Sequence, residues 1–148
     1  MTASSTSLFD SSFVIADTSA RLRARSGIVV AQWQRAVSAR QITTCPVVKL
    51  ELFHTARDAN AVEAIEVEER AFRSIPITRS VQNAAIGAVR ELARRGGGYH
   101  RVSLPDVLIA AAAQDVGADV LHYDRHFDRL AEVLHFRSIW LAPAGSLS

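Results

Sequence analysis

The apolar positions of this chain fall into short runs, several of which stop at a carboxylate. Phe13-Val14-Ile15-Ala16 is apolar throughout and ends at Asp17-Thr18-Ser19, which predicts a buried strand leaving into a turn. Ala20 to Ala39 reads as helical with an interruption at Ser26-Gly27, and Gln41 to Cys45 as a second strand halted by Pro46. Helices are expected over Val47 to Asp58 and Ala61 to Phe72, with Arg73 to Ile77 a brief third strand or extended link. A long helix from Arg79 to Arg95 ends at Gly96-Gly97-Gly98. Ser103 to Gln114 predicts another helix, apolar all round from Val107 to Ala113 and so buried on nearly every side, stopping near Gly117. Asp119 to Tyr123 is a fourth strand, Arg125 to Val133 a helix, and Ser138 to Leu141 a last strand.

Strands alternating with helices are the pattern of an α/β fold, a parallel sheet with helices on both faces. Right-handed crossovers then put the turns after the strands along one edge, beyond the carboxyl ends where open α/β sheets bind ligands. No repeat and no linker divides the chain. A single domain over residues 13–148 is expected, preceded by a flexible Ser/Thr-rich tail over residues 1–12.

Composition narrows the function classes. The 148 residues can bury one sizeable core, and 49% apolar with 22% charged residues is ordinary for a globular domain. No apolar run approaches the roughly 18 residues that a membrane span needs. The start of the chain has neither the basic nor the apolar region of a signal peptide. One cysteine, Cys45, excludes an internal disulfide framework and fits a reducing cytoplasm. Net charge is only +2, but Arg supplies all but one of the 17 Lys and Arg residues. Arginine grips phosphate through a bidentate fork, so this bias permits a nucleic-acid partner without demanding one.

Four acids then stand out. Asp17 and Asp124 directly follow strands, and so belong to the carboxyl edge of the sheet. Asp106 heads the apolar helix that leads toward the fourth strand. Glu51 lies angularly between Val47 and Val48, on a core-facing sector of its helix. Each has a plainer explanation. Asp17 and Asp124 suit helix N-caps, Ser103 and Asp106 fit a capping box, and Glu51 could pair with Arg21. Taken together, four acids on one edge must hold protons at raised pKa or bind cations, because like charges about 4 Å apart repel by roughly 4 kcal/mol. Oxygen ligands without a matching His or Cys set select hard ions, Mg²⁺ or Mn²⁺, and such a site suits phosphodiester hydrolysis.

At these residues the chain resembles the PIN-domain nucleases, and within them the VapC-type toxins of bacterial toxin–antitoxin pairs. The resemblance lies in Ile15-Ala16-Asp17-Thr18-Ser19-Ala20, Pro46 to Leu52, Pro105 to Ala113 and Val120 to Asp128, in the family's order and spacing. It implies a compact three-layer α/β/α sandwich with a short, mostly parallel sheet, and Mg²⁺- or Mn²⁺-dependent endoribonuclease activity. By the same likeness Asp17, Asp106 and Asp124 are metal ligands. Glu51 serves the metal site or proton transfer, and Ser19 orients Asp17 or a water. A homodimer, a cognate antitoxin and an RNA substrate such as tRNA or rRNA are implied partners. Two positions depart from the pattern: His126 stands where some relatives carry a further acid, and Arg21 where many have an apolar residue.

The remaining polar residues add less. His54, His100, His122, His126 and His135 lack the spacing of a zinc protease helix. The run Glu63, Glu66, Glu68, Glu69 reads as a solvated face, and Asp128 as a helix-surface residue. Arg21, Arg23 and Arg25 are the candidates for contacting RNA phosphates. The leading expectation is a ribonuclease toxin. The alternatives are a catalytically inactive PIN-like module that binds RNA or protein, and a receiver-type phosphoacceptor domain. The receiver lacks support, since Lys49 lies on a helix rather than at a strand end.

Overall fold

A computed structural model describes residues 12–148. The expected tail over residues 1–12 therefore lies outside the described residues except for Ser12. Five short strands, β1 (Val14–Ala16), β2 (Ile42–Thr44), β3 (Arg73–Ser74), β4 (Asp119–His122) and β5 (Ser138–Trp140), form one sheet in the order β3-β2-β1-β4-β5. Every neighbouring pair is parallel. Between them lie α1 (Thr18–Arg21), α2 (Val30–Ser38), α3 (Pro46–Thr55), α4 (Ala59–Glu69), α5 (Arg79–Ala93), α6 (Leu104–Val116) and α7 (His126–Leu130).

The side-chain alternation of the central strands divides the interior into two cores. Ile15 and Val120 face the larger one, with Val48 of α3, Leu92 of α5, Ile109 of α6 and Phe127 of α7. Val14, Ala16 and Leu121 face the other, covered by Ala20 of α1, Val29 just before α2 and Ala36 of α2. The result is the expected α/β/α sandwich.

Helix α6 is the central support. Ala110 to Ala113 are completely buried, and their small side chains let the helix lie close against the sheet. Pro105 sits in its first turn, where no amide hydrogen bond is lost. Gly117 ends it at φ 72°, and Ala118 returns its N–H to Ala113 O at 2.9 Å.

Two elements differ from the sequence expectation. The interruption expected at Ser26-Gly27 is present but wider: α1 ends at Arg21 and α2 begins at Val30, joined by turns over residues 22–29. Ser26-Gly27 lies within the break, and Leu22 and Ile28 are exposed there rather than continuing an apolar stripe. The third strand contracts to two residues, because Pro76 offers no N–H to extend the ladder.

Candidate metal centre

The strand order reverses between β1 and β4, so a crevice opens beyond their carboxyl ends. Asp17 leaves β1 as the N-cap of α1, and its side chain accepts the Ser19 N–H at 3.0 Å. The Ser19 hydroxyl also donates to Asp17, and Tyr123 donates its N–H to that hydroxyl oxygen at 2.8 Å. A single serine thus joins the ends of β1 and β4. The capping explanation of Asp17 is correct, but it accounts for only part of the carboxylate's surroundings.

Asp106 stands in the first turn of α6 and is buried. The capping box fails here. The Ser103 side chain makes no capping bond, and the Ser103 N–H goes to His126 Nδ1 at 3.2 Å. Asp106 Oδ2 is buried without a hydrogen-bond partner among the described residues. Asp124 leaves β4 half-buried, its Oδ1 accepting the His126 N–H at 3.0 Å. Glu51, on α3, accepts the Thr18 hydroxyl at 2.8 Å and does not pair with Arg21.

Electrostatics register the convergence of these four acids. Burial is the main cause that lifts Asp106 to about 8, with the charges of Asp17, Asp124 and Glu51 adding to it. Burial likewise lifts Asp17 to about 6, against the lowering effect of its Ser19 hydrogen bonds, with Glu51 contributing repulsion. Two buried acids whose pKa values rise toward neutrality want a counter-charge.

His126 joins the group although its residue type was not expected there. One ligand atom each from Asp106, Asp124 and His126 lies within 4.8 Å of the others. His126 Nδ1 is 3.4 Å from Asp106 Oδ2 and 3.8 Å from Asp124 Oδ1. Its position two residues after Asp124, where a further acid was anticipated, was the available signal. An orphaned buried carboxylate oxygen, further carboxylates and one imidazole form a donor set that fits a divalent cation.

The arginines separate. Arg21, expected to contact RNA, has its guanidinium buried against Glu69, with Phe72 beneath it at 4.9 Å. Glu69 also accepts the Thr44 hydroxyl at 2.8 Å, so this acid is a core residue rather than part of a solvated face. Lys49 pairs with Glu66 at 2.9 Å, in a partly exposed ion pair. Arg23 donates to Ser19 O at 3.0 Å and lies over the Tyr123 ring. Arg25 alone of the three is fully extended toward solvent, with 88% of its side chain exposed and Glu68 3.6 Å away.

Comparison with known proteins agrees with this architecture. Residues 7–133 match the family model described as PIN domain. Ribonuclease VapC18 of Mycobacterium tuberculosis is 37% identical over 132 residues, covering 88% of this chain and 96% of the relative. Ribonuclease VapC51 of the same organism is 38% identical over 112 residues, covering 76% and 77%. Among solved structures, DNA-bound VapBC from Salmonella typhimurium superposes with a TM-score of 0.71 at 18% identity, covering 88% of this chain and 98% of that one. VapBC-5 from Mycobacterium tuberculosis gives 0.63 at 19% identity, covering 87% and 98%. No helix among the described residues is long and apolar enough to cross a membrane.

Proposed function

The chain belongs to the PIN domain family, and from that premise we propose that it is a metal-dependent endoribonuclease, the toxin of a toxin–antitoxin pair. The observation that carries this reading is Asp106, a buried acid with an unpartnered oxygen and three other acids around it. Asp17, Asp106 and Asp124 would hold Mg²⁺ or Mn²⁺, with His126 at the border of the same group. A bound divalent cation there supplies Lewis acidity toward a water and toward the phosphoryl oxygens of RNA.

The chain's own side chains do the rest. Ser19 fixes the Asp17 carboxylate through two hydrogen bonds, which holds it in place without a substrate. Thr18 holds Glu51 by Oε1, so that Glu51 is oriented to accept or return a proton as the phosphodiester is hydrolysed. The products are a 5′-phosphate and a 3′-hydroxyl. Arg25, exposed beside the first helix, suits a phosphate of the bound strand.

Two solved structures that share this fold are VapBC complexes, which supports an antitoxin partner for this chain. A homodimer and a cytoplasmic setting complete the reading. The deciding experiment incubates structured RNA with the purified chain, with Mg²⁺ or Mn²⁺ and with EDTA, beside Asp17→Ala and Asp106→Asn. Cleavage by the wild type alone, lost with EDTA, is the expected result. Cleavage surviving both substitutions removes the proposal, and RNA binding without cleavage under either metal makes the chain an inactive binding module.

A further inference from the structure

A second set of polar groups lies behind the acids, and neither hydrolysis nor packing accounts for it. His122, the last residue of β4, is completely buried between Phe127 and Trp140, with ring centroids 4.9 and 5.0 Å away. Its two nitrogens face in opposite directions along one chain of hydrogen bonds. Asp124 donates its backbone N–H to His122 Nδ1 at 3.1 Å. On the far side His122 Nε2 is 2.6 Å from Ser138 Oγ, and that hydroxyl donates to Asp128 Oδ1 at 2.6 Å. Trp140 donates its indole N–H to the same carboxylate at 3.0 Å.

The proton positions follow from this order. A carboxylate accepts only, so the Ser138 hydroxyl must give its hydrogen to Asp128. Ser138 Oγ is then an acceptor for His122, which places the imidazole proton on Nε2. Nδ1 is left bare, as the Asp124 N–H requires. Asp128 at the surface thereby selects the tautomer of a ring that holds the backbone of Asp124. The Asp124 carboxylate in turn meets His126 and Asp106.

We infer that His122 is a positioning residue for Asp124, locked as the Nε2–H tautomer by Ser138 and Asp128. The inference rests on the reading of Asp124 as a metal ligand for its consequence, but not for the tautomer itself. Groups that orient a metal ligand from behind are worth about 10- to 100-fold in metal affinity. Ser138→Ala leaves the buried Nε2 proton without its acceptor, so that only the Asp124 N–H still holds the ring and the ring is free to turn away from it.

The test uses the full chain labelled with ¹⁵N. Long-range ¹H–¹⁵N spectra of wild type and Ser138→Ala read the His122 tautomer, and amide exchange reads the Asp124 N–H. Calorimetric titration with Mn²⁺ reads the affinity of the acids. Wild type shows the Nε2–H form and a protected Asp124 amide. Ser138→Ala loses the protection of the Asp124 amide and weakens Mn²⁺ binding by about 10-fold, while retaining a cooperative melt. His122→Asn, whose Oδ1 can replace Nδ1, keeps most of the affinity, and His122→Gln, whose oxygen reaches the other side, does not.

An Nδ1–H ring in the wild type overturns the inference, as does a Ser138→Ala protein with unchanged Asp124 amide exchange and unchanged Mn²⁺ affinity. If wild type binds no Mn²⁺ at all, the metal-centre reading fails instead. The tautomer and the Asp124 amide still decide the relay.

Discussion

Nδ1 of His126 stands 3.4 Å from Oδ2 of Asp106, and that oxygen has no hydrogen-bond partner among the described residues. Both atoms are acceptors when imidazole is neutral and carboxylate ionised, so the pair is at ease only with a cation or a proton nearby. Asp106→Asn removes the buried charge. We expect the metal-free variant to gain about 2 kcal/mol of stability at pH 8 and to lose the stabilisation that Mn²⁺ gives the wild type. Thermal melts with and without Mn²⁺ measure both effects.

The pH dependence has a definite sign. Asp17 and Asp106 have folded pKa values of about 6 and about 8, raised from the ordinary carboxylate value of 3.8 chiefly by burial. A raised carboxyl binds more protons folded than unfolded. Its stabilising effect is therefore complete below the unfolded pKa and is lost as pH rises through the folded one. Metal-free protein should lose stability from about pH 4 to pH 8, by on the order of 3 kcal/mol for Asp17 alone. Mn²⁺ should raise the melting temperature more at pH 8 than at pH 5. A stability that climbs over that range contradicts the prediction.

The two arginines at and after the end of α1 should part company on substitution. Arg21→Ala leaves Glu69 buried and unpaired, and should cost about 3–5 kcal/mol in chemical denaturation. Arg25→Ala should leave stability within about 0.5 kcal/mol and weaken RNA binding, with the salt dependence falling by about one ion. Denaturation curves and salt-dependent binding isotherms separate the two.

Thr18→Val keeps the shape of the side chain and removes the hydroxyl that holds Glu51. We expect kcat for RNA cleavage to fall by about 10-fold, less than the roughly 100- to 10,000-fold that loss of a proton-transfer group costs. Stability should change by no more than about 1 kcal/mol. An unchanged kcat would remove Glu51 orientation from the mechanism.

The parts of the fold that were legible in the sequence are those buried on two sides. Phe13 to Ala16, Val107 to Ala113 and Val120 to Leu121 announce themselves as unbroken apolar runs. The acids at their ends could be assigned to one edge because parallel topology leaves little choice. Partner choice was not legible. Arg21 was as close in pattern to Glu51 as to Glu69, and only the path of α4 brings Glu69 under its guanidinium. Asp128 is the helix-surface residue its position suggests, but its partners were not legible: nothing local indicates that β5 will set Ser138 and Trp140 against it. His126 was read as a departure from the pattern, since residue type alone does not report a distance to Asp106.

The serine bridge between β1 and β4 spans 104 positions of the chain. A translating ribosome must therefore release nearly everything up to Tyr123 before the Asp17 carboxylate can settle into its final setting. Partly synthesised chains that stop short of Tyr123 lack the complete cleft, so a cell making this protein meets its cutting power only after that residue has emerged.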